Sequence, residues 1–234
     1  MMKQNQKFKD NRYSLFGKKW ETWDQLCADF TWTVPDKMNA AYFLCDAHAK
    51  HENKVAILHE DSTGKKGKIT YRELKNITNK LANYFTSRGL KKGDYIAICL
   101  SQRTEAIISH IAAWKIGCVS APVTILIGTD GLKYRLEHSE AKLAIVEDGI
   151  IDTFRSVRHE IESLRHVLVV SGTELEMELK EDESDFWKCI NAMSDRFEPV
   201  VMNSDDNLIL VFTGGTTGVP KAVVHRHSLL FKAP

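Results

Sequence analysis

Residues 208–227 read Leu-Ile-Leu-Val-Phe-Thr-Gly-Gly-Thr-Thr-Gly-Val-Pro-Lys-Ala-Val-Val-His-Arg-His. An apolar run leads into a loop rich in glycine and threonine, and a second apolar run follows a Pro-Lys pair. This pattern predicts one strand entering the loop and another leaving it. A plain turn between hairpin strands is the simplest alternative, but it needs only about two to five residues and no such set of donors.

The loop carries groups that suit a polyphosphate. Its glycines permit positive φ and let an anion approach the backbone N–H groups. Its threonines add hydroxyl donors, and Lys221 adds a positive charge on a flexible stem. The candidate nucleotide-binding residues are Thr213, Gly214, Gly215, Thr216, Thr217, Gly218 and Lys221.

The Walker A loop, G-x-x-x-x-G-K-[ST], is the obvious rival, and the sequence does not fit it. Val219 and Pro220 separate Gly218 from Lys221, and Ala222 follows the lysine. The apolar residues after the loop indicate a strand, whereas a Walker A loop opens a helix.

The loop resembles the phosphate loop of the adenylate-forming enzymes, written [YF]-T-S-G-[TS]-T-G-x-P-K-G in that family. The matching residues are Phe212, Thr213, Gly215, Thr216, Thr217, Gly218, Pro220 and Lys221. Gly214 replaces the usual serine and so removes a hydroxyl donor. Ala222 replaces a glycine and is expected to hold negative φ.

Two earlier segments resemble other motifs of the same family, in the expected order. Residues 69–74 are similar to the L-[TS]-Y-x-E-L element, and residues 113–122 to the L-K-x-G-x-x-x-x-P element. The resemblance spans about residues 40–230. Residues 130–136 and the tryptophan-containing stretch 20–39 further resemble short- and medium-chain acyl-CoA synthetases.

The resemblance implies a two-step reaction in which a carboxylic acid attacks ATP to give an acyl-adenylate and pyrophosphate, and coenzyme A then displaces AMP. ATP, Mg²⁺, coenzyme A and a small carboxylic acid are the implied ligands. Lys221 is the candidate catalytic residue, because with the loop threonines it would stabilise the departing pyrophosphate. No metal ligands are assigned in this chain.

The later elements of the family are absent from these 234 residues. We therefore expect a flexible leader over residues 1–19 and an incomplete N-terminal domain over residues 20–234. A piece of this kind is not expected to turn over alone, and its open sheet edge predicts poor solubility.

Three alternatives stay open at this point. An amino-acid or aryl-acid adenylation module would use the same chemistry. A non-catalytic ATP-binding protein could retain the loop without the reaction. A P-loop NTPase is disfavoured by Pro220 and by the strand after the loop.

Strand and helix patterns alternate from residue 95 onward and predict an α/β fold. The expected architecture is a doubly wound, largely parallel sheet flanked by helices. Thr70 and Glu73 form a capping box that starts a helix ending near Gly89. We also expect helices over residues 38–50, capped by Asp36, and over residues 150–164.

Two further expectations concern a short apolar segment and one histidine. The apolar segment 124–128 is predicted to pack inside. His227 is interpreted either as a residue close to the acyl-binding region, as the resemblance implies, or as a cap or core histidine.

Composition limits the remaining classes of function. A formal net charge of +1 gives no electrostatic signature for nucleic acid or an anionic membrane. The first residues are polar and no apolar stretch is long enough to span a bilayer. Scattered cysteines without C-x-x-C indicate a reducing, cytoplasmic setting. Cys45, His48 and His51 do not share one helical face, which argues against a metal site there. Oligomeric state is left open.

Overall fold

The structure is a computed structural model that describes residues 19–61, 63–171, 178–214 and 219–232. Most of the expected leader therefore lies outside the described residues. The same holds for four candidate phosphate-binding residues, Gly215, Thr216, Thr217 and Gly218. Thr213, Gly214 and Lys221 are described.

Helices and strands alternate along most of the described chain. The helices are α1 Trp23–Asp29, α2 Ala40–Leu44, α3 Tyr71–Ser87, α4 Thr104–Lys115, α5 Thr129–Ser139, α6 Ile151–Arg158, α7 Phe186–Asn191 and α8 Leu229–Lys232. Short 3-10 turns cover Asp46–His48 and Asp148–Ile150. The strands are β1 Lys37–Met38, β2 Val55–Glu60, β3 Lys66–Thr70, β4 Tyr95–Cys99, β5 Val119–Pro122, β6 Leu143–Glu147, β7 His166–Val170, β8 Glu183–Asp185, β9 Met202–Asn203, β10 Asn207–Thr213 and β11 Lys221–Arg226.

The main sheet of the described chain has seven strands in the order β11-β10-β5-β4-β6-β7-β8. All neighbours pair in parallel except β11, which pairs antiparallel with β10. β2 with β3 and β1 with β9 form two small antiparallel sheets. The predicted doubly wound, largely parallel α/β fold is thereby confirmed.

Helices cover both faces of this sheet, and alternate residues of each central strand face the two layers. In β4, Ile96 and Ile98 belong to one apolar cluster, while Ala97 and Cys99 belong to the other. The first cluster includes residues of α3, α4 and α7, and the second includes residues of α5 and α6. Burial on both faces explains why the strand sequences are almost continuously apolar.

The capping box at the start of α3 is confirmed. The Thr70 hydroxyl accepts the Glu73 N–H, and the Glu73 carboxylate accepts the Thr70 N–H at 2.7 Å. At the other end, Gly89 has φ +77°, and the Leu90 N–H bonds to the Phe85 carbonyl. This left-handed glycine ends the helix as the sequence predicted.

The helix expected over residues 38–50 is present only as Ala40–Leu44, followed by the 3-10 turn Asp46–His48, and Asp36 is not its cap. Lys37–Met38 is a strand paired with β9, so the backbone there is extended. Asn39 is the cap, and its side chain accepts the Ala41 N–H at 2.9 Å. Its amide also donates to the carbonyls of Trp114 and Val200, which fixes it in place.

Two other expectations need correction. The helix predicted over residues 150–164 ends at Arg158, whose guanidinium donates to the Leu164 carbonyl at 2.9 Å and holds the following turns. Ile161 and Leu164 are nevertheless buried, so the apolar spacing resembled a longer helix. The segment 124–128 does not pack wholly inside, since Leu126 is 89% exposed. No helix in the described ranges is both long and apolar enough to cross a bilayer.

Candidate functional site

The β10–β11 hairpin brings together the described ends of the candidate phosphate loop. Thr213 and Lys221 are cross-strand partners, and the Thr213 hydroxyl donates to the Lys221 carbonyl at 3.3 Å. Both residues are exposed. The two residues are therefore cross-strand neighbours at the end of the hairpin where the candidate loop begins and ends.

Gly214 and Ala222, the two departures from the family pattern, are compatible with this geometry. Gly214 does not have positive φ, and a Cβ added there would meet no described heavy atom within 4 Å. Ala222 also avoids positive φ, as expected. The hairpin could thus accept a serine at 214 without strain.

A partly buried polar network holds the strand that leads into the loop against the sheet. The Trp114 indole N–H donates to the Leu208 carbonyl at 2.9 Å and to the Ser120 hydroxyl at 3.0 Å. His110 Nδ1 lies 2.8 Å from the same hydroxyl, and burial lowers the pKa of His110 to about 4. A neutral imidazole therefore completes the network. No local sequence pattern predicts this network, because side chains of α4 and β5 meet a backbone carbonyl of β10 that is 94 residues from Trp114.

His227 lies in the core immediately after β11. Its Nδ1 accepts the Ala40 N–H at 3.0 Å, and its side chain is fully buried. Burial lowers its pKa to about 4 against a smaller opposing effect of Asp206. The geometry favours the core-histidine interpretation, because Nδ1 already has a structural donor. Nε2 has no hydrogen-bond partner among the described residues.

The Cys45, His48 and His51 motif does not converge on one point. Cys45 is buried and its pKa is raised to about 12, mainly by desolvation, so it is a neutral thiol. The His48 ring stacks on Tyr71, with centroids 4.8 Å apart. No group of three or more His, Cys, Asp or Glu side chains in the described ranges could hold a metal ion.

No ligand of the Mg²⁺ that accompanies a nucleotide is assigned among the described residues. The Thr213 hydroxyl is one neutral oxygen at the described ends of the loop. The Thr213 and Lys221 donors fit a polyphosphate better than a free cation.

A largely parallel α/β sheet that ends in a hairpin with candidate phosphate donors is typical of a nucleotide-binding domain. The sequence model of the AMP-binding enzymes matches residues 45–233, and the chain belongs to this family.

Curated relatives include acetyl-coenzyme A synthetases. That of Magnetococcus marinus is 34% identical in an alignment of 224 residues that covers 89% of this chain and 35% of the relative. That of Emericella nidulans is 34% identical in an alignment of 209 residues that covers 84% of this chain and 31% of the relative. The chain therefore spans about a third of the length of the curated relatives it matches.

Solved structures agree with the fold. An acyl-CoA synthetase of Brucella canis has a TM-score of 0.78 and 25% identity, covering 91% of this chain and 39% of that one. The anthranilate CoA ligase AuaEII in complex with anthranoyl-AMP has a TM-score of 0.74 and 22% identity, covering 83% of this chain and 36% of that one. The predicted family is confirmed. The two solved structures have the same fold as this chain over the regions that they cover.

Proposed function

We propose that this chain forms part of an ATP-dependent acid–thiol ligase that makes an acyl-adenylate and transfers the acyl group to coenzyme A. The observation that carries the proposal is the pairing of Thr213 with Lys221 at the mouth of the β10–β11 hairpin. The family membership and the acetyl-coenzyme A synthetase relatives support it.

The role proposed for the hairpin is to hold the β- and γ-phosphates of ATP. The carboxylate of the acid attacks the α-phosphorus, and the bond to the bridging oxygen of pyrophosphate breaks. The leaving group gains negative charge, so an ammonium group and a hydroxyl beside it stabilise it more than they stabilise bound ATP. The thiol of coenzyme A then attacks the acyl carbon and AMP leaves.

The acid is assigned only as a small carboxylic acid. The named relatives include synthetases of acetyl-coenzyme A and a ligase of anthranilate, so both aliphatic and aromatic acids belong in the test. A cytoplasmic location remains part of the proposal, on the cysteine pattern alone.

The test uses the open reading frame that carries these 234 residues. ATP–pyrophosphate exchange is measured with acetate, butyrate, hexanoate, benzoate and anthranilate, in the wild type and in Lys221→Ala. Lys68→Ala is the matched control, because Lys68 is an exposed strand lysine in the β2–β3 hairpin. Removing a point charge from a phosphate site should slow exchange by roughly 10²–10³-fold, while the control should be unaffected.

Other results would contradict the proposed function or the role of Lys221. ATP hydrolysis that needs no carboxylic acid would contradict it and favour an NTPase. ATP binding without exchange for any acid would favour a non-catalytic nucleotide-binding protein. Exchange that is unchanged in Lys221→Ala would overturn the role of the lysine alone.

A further inference from the structure

Helix α5 contacts both ends of the phosphate-loop hairpin. The Tyr134 hydroxyl donates to the Pro220 carbonyl at 3.0 Å, one residue before Lys221. The Tyr134 ring also meets the Phe212 ring in an edge-to-face arrangement, with centroids 6.3 Å apart. One side chain therefore contacts Phe212, near the end of the entering strand, and Pro220, just before the exit strand begins.

The neighbouring residues fix the position of Tyr134. Its ring stacks on His138, one turn further along α5, with centroids 3.9 Å apart. Arg135 lies over the Phe212 ring at 5.7 Å, and its guanidinium donates to the Gly131 carbonyl at 2.9 Å. A tyrosine held on two sides presents its hydroxyl in one direction.

The exit of the loop has little packing of its own. Val219 is 64% exposed and Lys221 is also exposed. Pro220 has no N–H to contribute to the hairpin, so its carbonyl is the group that an outside donor can hold. Because the Pro220–Lys221 peptide is planar, fixing this carbonyl also fixes the Lys221 N–H and the start of its side chain.

We propose that Tyr134 is a positioning residue that orients Lys221 through the Pro220 carbonyl. The proposal rests on the proposed function, since it gives a purpose to the orientation of Lys221. It also gives the segment 130–136 a role, because this part of α5 would support the loop that binds the phosphates.

The experiment compares Tyr134→Phe with Tyr95→Phe in the protein expressed from the open reading frame that carries these 234 residues. Tyr95 is a matched control, because it is also half-buried and its hydroxyl has no hydrogen-bond partner among the described residues. Binding of Mg²⁺-tripolyphosphate is measured by calorimetry, hydrogen exchange is measured over residues 219–224, and the unfolding midpoint is recorded for each variant.

The expected result is a loss of roughly three- to tenfold in tripolyphosphate affinity for Tyr134→Phe, the usual effect of one net hydrogen bond. Exchange should quicken over residues 219–224, while Tyr95→Phe matches the wild type in both measurements. In the adenylation assay of the same protein, Tyr134→Phe should raise the KM for ATP and leave the KM for the acid unchanged. A merely structural residue would move both KM values together.

Unchanged affinity and unchanged exchange in Tyr134→Phe would overturn the inference. A fall in affinity that only tracks a lower unfolding midpoint, without faster exchange at 219–224, would also overturn it. If the wild type binds no tripolyphosphate but Tyr134→Phe still loosens residues 219–224, the proposed function fails and the contact of Tyr134 with the loop exit stands.

Discussion

Lys115 Nζ lies 2.7 Å from Asp46 Oδ1, and both side chains are buried in the interior between α3 and α4. The Asn79 side-chain oxygen accepts from the same ammonium at 2.5 Å. Desolvation lowers the pKa of Lys115, and the carboxylate of Asp46 opposes that shift. The lysine of the L-K-x-G element is thus part of a buried ion pair.

Removing one partner of this pair should be costly, because the other charge would be left in the core. We expect Lys115→Met to lower the free energy of unfolding by about 3–5 kcal/mol. The measurement is urea unfolding followed by circular dichroism. Lys142→Met is the control, since Lys142 pairs with Asp94 at the surface with 45% of its side chain exposed, and it should cost less than about 1 kcal/mol.

The double variant Lys115→Met with Asp46→Asn distinguishes charge from packing. Neutralising both partners should recover much of the loss, because no uncompensated charge remains. A double variant as unstable as Lys115→Met alone would mean that the lysine stem, and not its charge, stabilises the site.

Acid should destabilise the fold through two buried histidines. His110 and His227 both have pKa values lowered from 6.5 to about 4 by burial. Between these values the unfolded chain binds protons that the folded chain does not, so stability falls as pH drops from about 6.5 to 4. Each histidine should account for roughly 1–3 kcal/mol across this window.

Urea unfolding at pH 7 and pH 5 measures this effect in the wild type and in His227→Asn. The asparagine oxygen can accept the Ala40 N–H as His227 Nδ1 does, so the variant should lose part of the acid sensitivity. His51→Asn, at an exposed position, should keep the full sensitivity. An equal pH dependence of stability in all three proteins would contradict the assignment of part of the acid sensitivity to His227.

The sequence predicted the sheet and the two strands that flank the candidate phosphate loop because both depend on local patterns. Apolar runs of strand length alternate with helical stripes, and the loop residues are contiguous. The errors fall where distant segments decide the local backbone: Lys37–Met38 is extended because it pairs with β9. The contacts of Trp114 with Leu208 and of Tyr134 with Pro220 join residues 94 and 86 positions apart, which no local pattern records.

The Trp114 network predicts how β10 depends on α4. Trp114→Phe removes the N–H that binds the Leu208 carbonyl, and we expect it to cost about 1–3 kcal/mol in free energy of unfolding. Hydrogen exchange should quicken in β10. Trp187→Phe is the control, because its indole N–H binds Glu105 at 3.2 Å, away from β10. Faster exchange in β10 in both variants would indicate general destabilisation instead.

Gly214→Ser tests whether the departure from the family loop weakens phosphate binding. The glycine does not need positive φ, and an added Cβ meets no described atom within 4 Å, so the serine should be accepted without loss of stability. Its hydroxyl adds a donor beside Thr213, and affinity for Mg²⁺-tripolyphosphate should rise by roughly three- to tenfold. Gly214→Ala supplies the matched control, since it adds the Cβ without the hydroxyl and should leave affinity unchanged. A gain of equal size in both variants would show that restricting the backbone, and not the hydroxyl, improves binding, because alanine and serine reduce the freedom of the unbound loop alike.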